Sequence, residues 1–283
     1  MTDLILCSDI HFREDQPQCR LDDFFKAQFK AFFYVRELQK ENDAVVLHGG
    51  DLFHKWKNSP YLLTHVINKM PDNFYTIYGQ HDLPSHNYNL ADKSSIATLE
   101  AAGKVKVLPG THWGQEVTSS FTYKGRNILV MHRFIWDGKN QPWPGCDELT
   151  AEQALDTFTE YDLILTGDNH QPFTYEKDGR LLVNPGCLTR QTAAFKKHKP
   201  RVYLYDAKKN TVKPYYIPVS EEVITREHIE VKENRDERME AFISKLDTEF
   251  ESEINVDSIF DKFFKQNKVD KEVEQITLKA IGS

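Results

Sequence analysis

The sequence predicts an α/β fold of sheets covered by helices on both outer faces, followed by a small helical C-terminal region. Three observations carry this. Over residues 1–220, short apolar runs alternate with stretches of helical periodicity and then give way to hairpins. Several of those runs stop at a glycine followed by Asp or His. From about residue 221 onward, apolar residues recur only at helical spacing. With 283 residues, 40% of them hydrophobic, the chain can bury one large domain with a small appendage.

The elements follow in order. Leu4-Ile5-Leu6 reads as a buried strand. Leu21, Phe24, Phe25, Phe29, Phe32, Phe33, Val35 and Leu38 are spaced mostly i, i+3, i+4, which predicts a long helix. Ala44–Leu47 is a short strand, Tyr61–Met70 a helix and Phe74–Tyr78 a strand. Asn127–Met131 and Asp162–Leu165 are two further buried strands. Asp178-Gly179 supplies the turn of a hairpin, and a second hairpin joins Val202–Tyr205 to Val212–Ile217 around Lys209-Asn210. In the tail, Met239, Phe242, Ile243, Leu246 and Phe250 form one helical stripe. Ile259, Phe260, Phe263 and Phe264 form a second. Val273, Ile276 and Ala280 form a third, with Gly282 as a stop. The boundary between the two regions is expected near Val219–Glu222.

Composition narrows the class. Charged residues are 28% of the chain, and no apolar run approaches the roughly 20 residues that span a bilayer. No basic and apolar leader precedes the first strand, so no secretory signal is expected. The cysteines (Cys7, Cys19, Cys146, Cys187) are scattered, without a C-x-x-C pair, and read as free thiols of a reducing compartment. Net charge is −7, but residues 221–283 carry 17 Asp and Glu against 10 Lys and Arg, so the whole acidic excess sits in the tail. The body is neutral, and a bound metal pair would turn its carboxylate cluster positive.

Five strand ends finish in metal-capable residues: Ser8-Asp9-Ile10-His11, Gly49-Gly50-Asp51, Gly79-Gln80-His81-Asp82, Met131-His132 and Gly167-Asp168-Asn169-His170. The C-terminal edge of an open sheet is where α/β proteins place their sites. Carboxylate and imidazole together suit Mn²⁺, Fe²⁺ or Zn²⁺ better than Ca²⁺. Asp9 and His11 can face one cation, and a single carboxylate such as Asp51 can bridge two. Two ions roughly 3.5–4 Å apart can activate a hydroxide and stabilise charge on phosphorus. Each element alone is weak. Asp-x-His is common by chance, Gly-Asp after a strand is usually a turn, and a lone His132 or His170 is more often a hydrogen-bonded core histidine. Five in this order, each closing a strand, argue for a site.

The series D-x-H, G-D, G-N-H-D, H and G-H-x-H resembles that of calcineurin-like metallophosphoesterases over residues 1–220. The resemblance implies a four-layer α/β/β/α sandwich. Gly50-Asp51-Leu52-Phe53-His54 with Asn58-Ser59-Pro60, and later Asn184-Pro185-Gly186, resemble the DNA nuclease subunits of SbcD and meiotic-recombination type; that branch usually continues with Ser where this chain has Cys187. Carried across, Asp9, His11, Asp51 and His170 would hold a first metal, with Asp51 bridging. Gln80, His132 and Asp168 would complete a second site. His81 would contact the scissile phosphate and help the leaving oxygen depart, and His54 would be a second catalytic, phosphate-contacting histidine. The family asparagine is Gln80 here, one methylene longer by about 1.5 Å. The first histidine of G-H-x-H is Asp168, which adds negative charge and favours Mn²⁺ or Mg²⁺ over Zn²⁺.

The expected function is Mn²⁺-dependent exonuclease action on DNA, with endonuclease action beside it, in repair, recombination or processing. The alternatives are a small-substrate phosphodiesterase or phosphatase on the same core, a non-catalytic scaffold, and a subunit that mainly holds an ATPase. Arg13, Lys55, Lys57, Arg133, Arg190 and the run Lys196–Arg201 are candidate phosphate contacts. Trp56, Trp136 and Trp143 are candidate stacking residues. The tail reads as a DNA-selecting cap or as helices that grip a coiled-coil ATPase of SbcC type through Phe242, Leu246, Phe260, Phe263 and Phe264. It is shorter than the family's usual C-terminal parts, as a phage-type or minimal bacterial version would be. A homodimer through helices near the first two motifs is a further expectation, and the expected place is the cytoplasm of a bacterium or of a phage-infected host.

Overall fold

The structure, a computed structural model, describes residues 2–109, 119–139, 141–253, 256–267 and 269–281. It divides into two compact units, Met1–Thr225 and Arg226–Ser283. In chain order the first unit contains β1 (Leu4–Cys7), α1 (Phe24–Asn42), β2 (Val45–His48), α2 (Pro60–Lys69), β3 (Phe74–Thr76), α3 (Ser95–Ala101), β4 (Lys106–Val107), β5 (Ser119–Tyr123), β6 (Arg126–Met131), α4 (Ala151–Thr157), β7 (Leu163–Thr166), β8 (Phe173–Lys177), β9 (Arg180–Asn184), β10 (Arg201–Asp206) and β11 (Thr211–Tyr216). One sheet runs β11-β10-β1-β2-β3-β4 and the other β5-β6-β7-β9-β8.

Period-two alternation explains the layers. In β1, Ile5 and Cys7 face a core that holds Phe29, Phe32 and Val35 of α1 with Leu62 and Val66 of α2. Leu4 and Leu6 face the opposite way, against Ile128, Val130, Leu163, Leu165, Leu181 and Val183 of the second sheet. The alternate residues of that sheet, Leu129, Met131, Ile164 and Leu182, pack on Ala151, Ala154 and Leu155 of α4. The order is therefore helices, sheet, sheet, helix: the expected four-layer sandwich. Strands β1, β2 and β3 are mutually parallel, as are β6, β7 and β9, so their C-terminal ends gather on one edge of each sheet.

The helix starts are capped. The Asp23 carboxylate accepts from Lys26 N, Ser59 accepts from Leu62 N ahead of Pro60, and Thr150 and Gln153 form a reciprocal box. The Asp23 cap leaves Leu21 outside α1 and exposed, so the expected helix began too early; Phe33 also points to solvent. Phe24 and Phe32 are buried, and Phe25 stacks on Tyr61. Strands β4 and β5 and helices α3 and α4 were not expected. Each is short, and Ser119–Tyr123 is a largely polar edge strand paired on one side only.

Residues 223–225 belong to the first unit because Leu21 N donates to Val223 O at 3.0 Å and Thr225 N to Cys19 O at 2.8 Å. The second unit is three helices, α5 (Glu227–Glu253), α6 (Val256–Asn267) and α7 (Lys271–Ile281), one for each apolar stripe. In α6 the Phe260 and Phe264 rings lie 5.8 Å apart. Gly282 and the side chains of Phe242 and Leu246 lie outside the described residues. No helix among the described residues is long and apolar enough to cross a membrane, and the four cysteines are free thiols.

Candidate metal centre

The candidate residues sit where the chain leaves the strands, and it leaves them under strain. Asp9, His11, Asp51 and Asp168 have φ of 50°, 51°, 56° and 73°, the left-handed region that non-glycine residues seldom occupy. Such conformations cost roughly 1–3 kcal/mol each and persist where the surroundings impose them. Here the turns aim their side chains into a single space between the two sheets' C-terminal edges. Glycines keep that space open. A Cβ on Gly79 would overlap Asp51 Oδ1, and one on Gly167 would lie 2.6 Å from His132 Nδ1.

Asp51 is the hub. Its Oδ1 accepts from His81 N at 2.9 Å. Its Oδ2 lies 3.4 Å from His132 Nε2 and 3.6 Å from His11 Nε2. On one side, Asp9 Oδ1 lies 3.6 Å from His170 Nε2 and 3.8 Å from His11 Nε2, and the two imidazoles approach to 3.1 Å. On the other, His132 Nδ1 meets Gly49 O at 2.7 Å, which turns Nε2 towards the carboxylates. Gln80 Nε2 donates to Asp168 Oδ1 at 2.8 Å, and Asp168 N donates to Asp9 Oδ1 at 3.2 Å. Asp9, His11 and His170 form one group of ligand atoms within 4.8 Å of one another; Asp9, Asp51 and His132 form a second; His11, His54 and His81 form a third. Asp168 enters none of these groups and meets them through its bonds to Gln80 and Asp9. The candidate metal ligands and both candidate catalytic histidines therefore lie in one connected cluster.

Protonation follows from the crowding. Burial alone would raise the Asp51 carboxyl, but the His132 and His11 imidazoles beside it hold it well below the usual range. Burial works to lower His132, yet the charges of Asp51, Asp9 and Asp168 overcome it and push the ring up to about 10. Burial pushes His11 well below its ordinary value, aided by the neighbouring histidines, so its ring is neutral. Burial also lowers His54, to about 4, with help from Arg13. Burial pushes the Asp9 carboxyl up against the pull of His170 and His132, as in a site short of positive charge, and a proton on His132 supplies that charge only in part. Asp9 Oδ2, Asp51 Oδ2, Gln80 Oε1 and His132 Nε2 are buried without hydrogen-bond partners. Mixed carboxylate and imidazole donors left unsatisfied in this way fit divalent transition-metal ions.

Several positioning residues were given no role in the sequence reading, although Asp82 and Asn184 stand in its motifs. The Asp82 carboxylate accepts from Gly79, Leu52 and Phe53 N, tying the second strand-end turn to the third. Gln191 Nε2 reaches Ile10 and His11 O at 3.3 and 3.2 Å. Asn184 Nδ2 holds the loop after β7 through Asn169 and Gln171 O. An acid right after a motif histidine was a readable cue for Asp82; Gln191 had none. Arg190 is not a surface phosphate contact: it is 4% exposed and donates to the carbonyls of Lys196 and Ser220. His198, within the basic run, is buried against Cys187 O. Arg13, by contrast, lines the cleft over His11, His54 and His81, and Lys55 and Lys57 line the adjoining one.

The chain is similar to an archaeal phosphodiesterase of known structure (15% identity, TM-score 0.43, covering 75% of this chain and 98% of that one). It is also similar to Vacuolar Protein Sorting 29 from Cryptosporidium parvum (19% identity, TM-score 0.36, covering 76% and 96%). The search of curated proteins gives no match. The family profile described as Calcineurin-like phosphoesterase superfamily domain matches residues 3–210. Members of that family are metal-dependent phosphoester hydrolases, and with this match over most of its length the chain belongs to the calcineurin-like phosphoesterase superfamily.

Proposed function

We propose that this chain is a two-metal phosphodiesterase that cleaves DNA, as an exonuclease with endonuclease action beside it, and that Mn²⁺ is its preferred ion. The observation that supports a polymeric substrate is the shape around the cluster. A cleft over His11, Arg13, His54 and His81 shares His54 and His81 with a second cleft that holds Lys55, Trp56 and Lys57. It shares His170 and Phe195 with a third, which holds Trp136 and Trp143. A small phosphoester needs one pocket; a strand crossing the centre would use all three.

Asp9, His11, His170 and Asp51 would hold one ion, and Asp51, His132, Gln80 and Asp168 the other. When bound, the ions supply Lewis acidity at the phosphoryl oxygens and an activated water. The rest falls to side chains. His81 Nδ1 meets His54 O at 2.9 Å, leaving Nε2 as its free ring nitrogen. The His81 ring stands edge-on to His11 at 4.9 Å and stacks on His54 at 5.3 Å. From there His81, as the imidazolium, can give its Nε2 proton to the departing sugar oxygen, and His54 can donate to a non-bridging oxygen. Arg13, its guanidinium held by the Asp15 carboxylate, stands beside the same phosphate. The C-terminal unit is read as the element that grips a coiled-coil ATPase of SbcC type, which co-purification of the two chains tests.

The deciding experiment is degradation of end-labelled linear DNA with Mn²⁺, Mg²⁺ or EDTA, beside His81→Ala and Asp51→Ala. Metal-dependent cleavage lost in both variants is expected. Mn²⁺-dependent hydrolysis of bis-p-nitrophenyl phosphate without any cleavage of DNA would keep the phosphodiesterase and remove DNA as its substrate.

A further inference from the structure

The cleft on the Asp168 and His170 side has a volume of about 600 Å³, in the range of small-ligand sites. Its walls carry Phe134, Trp136, Trp143, Phe173 and Phe195, and the fold does not account for all of them. Phe173 packs on the α4 core, and the Trp136 indole N–H donates to Glu148 O at 3.0 Å. Phe134, Trp143 and Phe195 belong to none of the three hydrophobic cores among the described residues. Trp143 is 45% exposed, and its ring lies 5.0 Å from that of Phe134. The Phe195 ring lies 5.7 Å from that of His170, so this aromatic wall begins at the metal cluster itself. The cleft on the other side is different: Lys55 and Lys57 line it, with Trp56 as its aromatic ring.

We propose that the Phe134–Trp143–Phe195 cleft is a nucleobase subsite, which takes the base of the nucleotide next to the scissile phosphate by stacking. This rests on the phosphodiesterase reading for the location of the phosphate. The chemistry is specific to a flat, weakly polar group. Exposed aromatic faces beside a phosphate-binding centre stack bases irrespective of sequence. The exposed Gln171 side-chain amide in the same wall adds a donor and an acceptor for a base edge. The substrate is therefore held asymmetrically, by its base on the Trp143 side and by its backbone charge on the Lys55 and Lys57 side.

The test is equilibrium binding, by calorimetry, of thymidine 3′,5′-bisphosphate and of inorganic phosphate to the Mn²⁺-loaded full chain. Trp143 is a surface residue, so Trp143→Ala is expected to keep the wild-type unfolding temperature. The wild type binds the bisphosphate more tightly than phosphate. Trp143→Ala loses about tenfold in bisphosphate affinity, the lower part of the usual stacking range, and leaves phosphate binding unchanged. Trp143→Phe restores most of the loss. The subsite is overturned if the wild type does not prefer the bisphosphate, or if Trp143→Ala leaves its affinity unchanged or weakens both ligands equally. The labelled-DNA assay is read separately: DNA left intact while Trp143-dependent nucleotide binding persists would overturn the nuclease and keep the subsite.

Discussion

The Gln80 amide nitrogen donates to an Asp168 carboxylate oxygen at 2.8 Å. These are the two positions at which the chain departs from its family's motif series, so the departures meet as one bonded pair. The longer amide reaches the shorter acid, while Gln80 Oε1 remains buried and unpartnered. Gln80→Ala and Asp168→Ala should each weaken the second Mn²⁺ ion by about 10-fold or more, because each removes a candidate ligand together with the partner that orients the other. Because they act as a unit, the double variant should cost little more than either single one. Restoring the family pair with Gln80→Asn and Asp168→His together should move the preference towards Zn²⁺, while either change alone should bind poorly. Calorimetric titration of the wild type and both sets of variants with each metal checks the two cycles.

Asp51 and His81 should separate by what they lose. Asp51 lies beside both groups that share Asp9, so Asp51→Ala should abolish the binding of both ions along with activity. His81 contributes its backbone N–H to Asp51, and that bond survives a side-chain change. His81→Ala should keep both metals by titration and lose about 10²–10⁴-fold in kcat, the usual share of a general acid. Loss of metal in His81→Ala would contradict this division.

His48 supplies an acid-sensitive element. It is fully buried, its Nδ1 lies 2.9 Å from Thr76 Oγ1, and burial, aided by His132, lowers it to about 3 from the ordinary 6.5. The unfolded chain therefore takes up the proton first. Stability from this residue is complete above pH 6.5 and is lost as the pH falls towards 3. The slope is about 1.4 kcal/mol per pH unit within that window. Urea unfolding in EDTA at a series of pH values should show His48→Asn with a shallower acid loss than wild type by that amount. Parallel profiles would refute it.

Gly79 has a steric task. A side-chain carbon there would overlap the Asp51 carboxylate and come within 2.5 Å of Asp51 N. Gly79→Ala should cost about 1–3 kcal/mol, the usual range for overpacking, and should weaken metal binding through displacement of Asp51. The urea midpoint and a metal titration read the two effects.

Much of this was legible along the chain. Continuous apolar runs such as Leu4–Leu6 and Ile128–Met131 declare strands buried on both faces, because alternate residues must satisfy two different cores. Asp9, His11, Asp51, His132 and His170 announce themselves because each ends such a run. Short edge elements such as Ser119–Tyr123 gave no such signal, since a strand paired on one side tolerates polar residues. Tertiary structure alone decided that Gln80 bonds Asp168 across 88 positions, that Asp82 ties the turns, that Arg190 is buried, and that Phe134, Trp143 and Phe195 share one cleft. The physical reason is range. Alternation and capping act between neighbours and leave their mark in local pattern, whereas a hydrogen bond or shared cleft between distant strand ends exists only once the two sheets have packed.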